Sequence, residues 1–286
     1  MKDVIRIFST PYGELAIDTV ADAKMAAVFA HGDHHQKDTI ELLSTFVTPQ
    51  SVFVDGGAHI GTIAIPLARK AGRTVAYEAD ASTCDILRQN VERNGVSVAV
   101  HQKGLGAEAG RGEMMSVREG NAGAHTLSVG EGGVAVVTLD EELEKFDVLK
   151  LDVEGMELAV LRGAGRIITE VHPTILFEVN LSQLRAHGTS LRALNSFFGT
   201  RDYRLYLPFR LYGTLVLGSV PSPSLVALLM YPGAYLLHRT SSVFDILALP
   251  KERKSPLPVV SAWRTMFYVI GENLRDKMRR LQKHFV

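Results

Sequence analysis

The sequence predicts a doubly wound α/β sheet, preceded by an N-terminal hairpin and followed by a C-terminal helix. Three observations carry this prediction. Short apolar runs alternate with segments of helical spacing from Ser51 to Asn180, the pattern of a parallel sheet with helices packed on it. Four of those runs end in glycine or an acid, at 55–61, Glu78, 152–154 and 178–180, where ligands bind in open α/β sheets. Two further strand-like runs are set apart by Thr10-Pro11-Tyr12-Gly13 at the start of the chain, a turn signal.

Taken in order, residues 4–8 and 14–20 read as the hairpin, and 38–47 has helical apolar spacing. Ser51 to Val54 is a run of the kind buried in parallel sheets; it meets Asp55-Gly56-Gly57-Ala58-His59-Ile60-Gly61 and then a helical run through Arg69. Thr74 to Tyr77 is the second strand, Ser82 to Asn94 a helix closed by Gly95, and Val96 to His101 the third strand. Residues 104–133 are rich in glycine and small polar residues, with strand-like 113–117 and 125–129, an expected hairpin excursion. Phe146 to Leu151 is the fourth strand, Met156 to Ile168 a helix, and Pro173 to Val179 the fifth strand. Beyond them lie a helix over 190–198, strands over 203–207 and 243–249, and a tail helix from about Val259 to His284. The expected organisation is a hairpin and cap segment over 1–48, a main domain over 49–255 and the C-terminal helix over 256–286.

The chain has 31 basic and 31 acidic residues, which removes the global electrostatic argument for a nucleic-acid partner. Hydrophobic residues make up 46%, so the chain can bury a core and is not disordered. The lone Cys84 excludes an intrachain disulfide and a cysteine zinc cage. The charged start is no secretory signal, and the expected compartment is cytoplasmic.

Two stretches set membrane expectations. No charge falls between Leu211 and Leu237, a length that reaches across a bilayer. Pro221, Pro223 and Pro232 interrupt it, so an uncharged insertion over 209–238 is expected rather than a spanning helix. The tail from Leu257 carries Arg264, Arg275, Lys277, Arg279, Arg280 and Lys283 against Glu272 and Asp276, a net +4, interleaved with apolar residues. Such a basic amphipathic helix suits peripheral contact with an anionic membrane and equally docking on a second subunit or on its own domain, so a homo-oligomer is left open.

The strand ends carry the chemistry. Gly57 and Gly61 with Ala58 between them let a ligand approach backbone N–H groups. A dinucleotide fingerprint places glycine where Asp55 stands; the spacing D-x-G-x-x-x-G instead favours a ligand bearing an ammonium group. Glu78 ends the second strand, where a carboxylate accepts from both hydroxyls of a ribose. The joint reading is a nucleoside site.

At this point a family resemblance can be stated. DGGAHIG, the later Glu78, the run Asn90-Val91-Glu92-Arg93-Asn94-Gly95, Thr138-Leu139-Asp140, LKLDVEGMELAVLRGA over 149–164 and ILFEV over 175–179 resemble the FkbM family of S-adenosylmethionine-dependent methyltransferases. The likeness covers about residues 50–180, with an echo in FDILALP at 244–250, and its most specific block is D-V-E-G. His59 stands where that family usually has asparagine.

The resemblance implies a seven-stranded class I methyltransferase sheet with its last strand antiparallel, and S-adenosylmethionine as cofactor. It implies that Asp55, Gly57, Ala58, His59 and Gly61 hold the methionine part, Glu78 the ribose, and Gly104, Leu105 and Gly106 the adenine. The implied partner is a small-molecule or glycan acceptor methylated on a hydroxyl. Alignment of that oxygen and removal of its proton fall to the protein, with Asp152, Glu154 and His125 as the candidate catalytic residues; Asp152 is also placed beside the cofactor. Glu154 or Glu157 can alternatively serve a helix N-terminus. Asp152, Glu178 and Asn180 offer hard oxygen ligands for a divalent metal, and the expectation is that none is used. The His31-Gly32-Asp33-His34-His35 cluster reads as a polar loop that could line the acceptor site. A catalytically silent nucleoside-binding scaffold and an NAD-linked oxidoreductase are the alternatives.

Overall fold

The computed structural model describes residues 4–32, 34, 36–116, 125–220, 243–262, 264 and 265. Contacts divide the chain into two units, Met1–Leu176 and Phe177–Val286.

The first unit opens with β1 (Ile5–Thr10) and β2 (Gly13–Asp18), paired antiparallel. Two helices follow, α1 (Ala23–Ala30) and α2 (Lys37–Ser44). Asp22 caps α1 by accepting the Met25 N–H. The unit's main sheet is built from β3 (Val52–Gly56), β4 (Arg73–Tyr77), β5 (Ala99–His101) and, after an excursion, β10 (Val148–Leu151). These four run parallel in the order β10-β3-β4-β5. Between them lie α3 (Ala64–Ala68) and α4 (Ala81–Arg93), the latter capped by Asp80. The main-sheet strands β3, β4 and β10 are apolar almost throughout, with Phe53, Val54, Val75, Ala76, Leu149 and Leu151 sealed from solvent, as expected where both faces of a sheet are covered.

The excursion over 104–137 forms a second sheet. It comprises β6 (Gly104–Leu105), β7 (Gly110–Ser116), β8 (His125–Val129) and β9 (Val134–Val137), in the order β6-β9-β7-β8. A short helix α5 (Leu139–Glu142) leads back to the main sheet.

Two asparagines of α4 explain the N-x-x-x-N spacing. The Asn90 amide accepts the Ala16 N–H (2.7 Å) and donates to the Ala16 carbonyl (3.0 Å). One turn on, the Asn94 amide does the same with Glu14, at 3.1 and 2.7 Å. Four helical residues rise about 6 Å, close to the roughly 6.8 Å spanned by two strand residues. The two amides therefore stand in for a neighbouring strand along the free edge of β2, satisfying groups that an edge leaves unpaired.

The structure corrects the single helix expected over 156–168. There are two, α6 (Glu157–Arg162) and α7 (Gly165–Val171). The break falls at Gly163, where a Cβ would lie 2.1 Å from the Gly106 carbonyl oxygen; close backbone approach is what glycine permits. Asp140 then caps α7 from a distance, its carboxylate accepting the N–H groups of Arg166 (2.8 Å) and Ile167 (3.0 Å).

Strand β11 (Thr174–Asn180) begins in the first unit and ends in the second. The second unit continues with α8 (Leu181–Ala186), capped by Asn180, and α9 (Leu191–Gly199), capped by Ser190. Strand β12 (Tyr203–Leu211) pairs antiparallel with both β13 (Thr214–Val220) and β14 (Val243–Pro250). A short β15 (Val259–Val260) runs parallel to β13.

Two further expectations are corrected here. The first ten positions of the uncharged stretch, 211–220, are not an insertion but the end of β12, a turn and β13, with Leu215, Val216 and Leu217 buried. The strand is buried almost throughout, so both of its faces are covered and no charge is called for. The tail does not begin as a helix at Val259, because Val259 and Val260 are held as a strand beside Leu217 and Gly218. Residues 262, 264 and 265 are helical. The remaining stretches, 221–242 and 266–286, lie outside the described residues. Among the described residues no helix is long and apolar enough to cross a membrane.

Candidate active site

The site grows from the carboxyl ends of the adjacent strands β10, β3 and β4. Asp55, in β3, is buried at 1% exposure. Burial pushes its carboxyl up to about 6, against the pull of Lys150 and the Ala64 amide and with a push from Asp152. The parallel register sets Lys150 of β10 directly beside Asp55. The Lys150 ammonium lies 3.9 Å from the Asp55 carboxylate and 3.1 Å from Asp152. Lys150 is the site residue that sequence reasoning missed. Its signal was present, since a lysine inside the apolar run Val148-Leu149-Lys150-Leu151 is buried only when paired.

The glycine turn follows β3. Gly57 has φ +77°, and a Cβ there would fall 1.9 Å from the Asp152 carbonyl oxygen, so the turn closes against the end of β10 only with glycine. The Gly57 and Ala58 N–H groups both donate to the Tyr77 carbonyl at 3.0 Å, and the Gly61 N–H donates to the Ala58 carbonyl. The His59 N–H donates to Glu78 Oε2 at 2.8 Å. This corrects the expectation that the turn presents its amides to a ligand: those of Gly57, Ala58, His59 and Gly61 are spent inside the protein. What the strand ends offer instead is carboxylate.

Glu78 sits just past β4. Its Oε1 accepts the Asp80 N–H at 2.9 Å while Oε2 accepts from His59. Burial raises it to about 7, and the amides of Asp80, His59 and Ala79 hold it from rising further. Each carboxylate oxygen has a second lone pair for a hydroxyl donor.

His59 adopts φ +50°, an uncommon region for a residue with a Cβ. Its ring Nε2 lies 3.2 Å from the Asp22 carboxylate. The ring therefore turns to the N-terminal segment, while the backbone serves Glu78.

After β10, Asp152 is half-buried and its N–H donates to the Gly56 carbonyl at 2.9 Å. Glu154 is half-buried with φ +48°. Glu157 is sealed, its Oε1 accepting the N–H groups of Gly155 (3.1 Å) and Val153 (3.3 Å) at the start of α6; burial raises it to about 7. The helix-terminus role weighed for Glu154 or Glu157 is thus performed by Glu157. Leu105 of β6 reaches the same strand ends, its Cδ1 lying 2.9 Å from where a Cβ on Gly56 would sit. Gly104 packs against Leu127.

Other candidates are placed elsewhere. His125 opens β8 opposite Ser116, and its side chain lies outside the described residues. His34 is buried between the rings of Tyr12 (4.9 Å) and Phe29 (5.8 Å), which corrects the expected polar loop at that position; Asp33 and His35 lie outside the described residues. Glu178 and Asn180 belong to the second unit, where Asn180 caps α8. Cys84 is buried and its thiol is pushed up to about 11 by burial, an inert structural thiol.

A family model, the methyltransferase FkbM domain, matches residues 55–205. The chain belongs to the FkbM methyltransferase family. The FkbM match begins at Asp55 and takes in the glycine turn, Glu78, Asn90 and the Asp152–Glu157 block; the hairpin, α1 and α2 precede it. The chain is 32% identical over 148 residues to hexuronic acid methyltransferase AglP of Haloferax volcanii, covering 49% of this chain. That alignment spans 61% of the length of AglP. It is 29% identical over 157 residues to the probable cobalt-precorrin-6B C(15)-methyltransferase (decarboxylating) of Halobacterium salinarum, covering 53% of this chain and 74% of that protein. Among solved structures it is similar to an FkbM methyltransferase from Methylobacillus flagellatus, with a TM-score of 0.42 and 23% identity over 56% of this chain and 40% of the other.

Proposed function

We propose that the chain is an S-adenosylmethionine-dependent methyltransferase of class I architecture that methylates a hydroxyl oxygen on a glycan or small metabolite. One observation carries the reading. The amides of the glycine turn are internally bonded, while Asp55, Glu78 and Asp152 stand at the ends of adjacent strands. An array of acceptors suits a ligand with an ammonium group and ribose hydroxyls. It is unsuited to a pyrophosphate, which needs N–H donors at a helix N-terminus. This argues against an NAD-linked oxidoreductase.

The residues fit such a ligand. The carboxylates of Asp55 and Asp152, less the ammonium of Lys150, leave the strand ends acidic enough for one cationic group. Glu78 has the free lone pairs for the ribose, and Leu105 with Gly104 lines the adjoining apolar side. When bound, S-adenosylmethionine supplies an activated methyl group, and the rest falls to the chain. Asp152 and Glu154 follow directly on β10 and are the carboxylates assigned to hold the acceptor hydroxyl and take its proton as oxygen forms its bond to carbon; His125 is the third candidate. Rigid placement counts for most, because a methyl transfer requires the oxygen in line with the leaving sulfur. The similarity to a hexuronic acid methyltransferase makes uronic-acid glycans the first acceptors to try. The absence of a metal from the mechanism and peripheral membrane contact through the tail belong to the same proposal.

The test is equilibrium binding of S-adenosylmethionine and of NAD to the purified chain, with Glu78→Ala alongside. Selective binding of S-adenosylmethionine that weakens in the variant, followed by methyl transfer to a hydroxylated glycan, is the expected result. Folded protein that binds NAD refutes the proposal in favour of the oxidoreductase reading, and folded protein that binds no S-adenosylmethionine refutes it and leaves the scaffold reading.

A further inference from the structure

The geometry points to Asp22 as a positioning residue for the ribose carboxylate, acting through His59. This rests on the reading of Glu78 given above. Asp22 lies outside the family match, which begins at Asp55, yet its carboxylate is buried at 2% exposure against the His59 ring, Oδ2 to Nε2 3.2 Å. It is fixed there by its own segment. The Asp18 carboxylate accepts the N–H groups of Val20 and Ala21, the Asp22 N–H donates to the Asp18 carbonyl, and Asp22 Oδ1 caps α1.

His59 is the residue through which this anchorage is transmitted. At φ +50° it sits in the left-handed region, uncommon for a residue with a Cβ. Its ring is held by Asp22 and its N–H by Glu78 Oε2. Releasing the ring from Asp22 removes a constraint on His59, so the backbone can relax and draw its N–H away from Glu78. The carboxylate then loses one of the amides that orient it, leaving those of Asp80 and Ala79. Neighbouring residues are tied to the same N-terminal segment: Asn90 bridges the Ala16 carbonyl and the Ile60 carbonyl, and the Thr62 hydroxyl donates to the Gln36 side chain. Leu15, Ile17, Ala26 and Phe29 pack with Ile60 and Ile65 in one cluster. The N-terminal segment is thus the outer wall of the glycine turn, and Asp22 is its polar contact to the residue that reaches Glu78.

The experiment is a double-mutant cycle of Asp22→Asn and His59→Ala, read by calorimetric binding of S-adenosylhomocysteine and of adenosine at fixed pH. Asparagine is as good a helix cap as aspartate, so Asp22→Asn leaves α1 intact and isolates the contact with His59. Each single variant is expected to weaken binding about tenfold, a middling coupling for residues in contact, and the double variant no more than either. Hydrogen exchange of the His59 amide is measured on the ligand-free proteins and is expected to quicken in Asp22→Asn. Binding by Asp22→Asn equal to wild type, or losses that add, overturns the inference. If wild type binds neither probe, the nucleoside reading falls, and the His59 amide alone decides the coupling: unchanged exchange overturns that too.

Discussion

Replacing Asn90 by alanine removes three hydrogen bonds at once from a sealed site. The Asn90 side chain accepts the Ala16 N–H and donates to the carbonyls of Ala16 and Ile60, at 2.7, 3.0 and 3.0 Å. Asn90 and Ala16 are fully buried and Ile60 nearly so, so water cannot take over without opening the packing. Each stranded buried group costs about 1–3 kcal/mol. Partial relaxation keeps the sum near the lower end, and the expected loss is about 3–6 kcal/mol, a large share of the 5–15 kcal/mol typical of a folded protein. Asn94→Ala is the internal control. It removes the same pair of bonds from Glu14, an exposed residue where water can substitute, together with those to Arg69 and the Asn90 carbonyl, and should cost about 1 kcal/mol. Urea denaturation followed by circular dichroism, comparing midpoints at constant slope, measures both. Equal losses in the two variants, or a loss below about 1 kcal/mol for Asn90→Ala, would refute the reasoning that these amides replace a missing strand.

Gly57→Ala drives a Cβ to 1.9 Å from the Asp152 carbonyl oxygen at φ +77°, and should abolish S-adenosylmethionine binding in calorimetry while destabilising the chain by roughly 2–4 kcal/mol. Burial raises Glu78 from 4.5 to about 7, so its proton is held more tightly by the folded state. Its contribution is therefore fully present below pH 4.5 and is lost as the pH rises through about 7. Chemical denaturation across that window should show wild type losing up to about 3 kcal/mol relative to Glu78→Gln, and parallel curves would contradict the shift. Lys150→Met deprives Asp55 of the cation that lowers it; carbon-13 NMR should find the Asp55 carboxyl titrating above its value of about 6 in wild type. Asp140→Ala uncaps α7 and should lower stability by about 1 kcal/mol, readable from the thermal midpoint.

Much of this architecture was legible because it is local. Apolar runs such as 52–54 and 148–151 bury on both sheet faces, and the acids and glycines that end them mark the ligand side. The excursion was visible as strands at 113–117 and 125–129, but its partners were not, because β6 and β9 are short and paired from afar. The split at Gly163 was hidden for the same reason. Within 156–168 the apolar spacing is continuous, and the break is imposed by the Gly106 carbonyl and the Asp140 cap, neither of which is near in sequence. The strand at 214–220 was misjudged because an uncharged stretch has no alternation to read. The apolar run around Lys150 signalled a paired lysine, but not its partner, which only the register with Asp55 identifies.

The role of the amides in the glycine turn shows why motif spacing alone under-determines chemistry. Strand, glycine-rich turn and helix recur in sites that cradle phosphates, and there the turn's N–H groups face outward. In this chain the Tyr77 carbonyl takes two of them and Glu78 a third, while the following helix α3 is only five residues long. The donors are consumed because β4 ends beside the turn in exact register, Gly56 opposite Tyr77, so the next carbonyl and the next carboxylate both fall within reach. An acid at position 55 would repel an anion, and an acid at 78 would compete with it for the same amides. Once both are present, the turn ceases to be an anion cradle and becomes the scaffold that orients carboxylates. It follows that Asp55→Gly alone should not create pyrophosphate affinity: NAD binding measured for that variant should stay at the wild-type level, because the N–H groups would still belong to Tyr77 and Glu78.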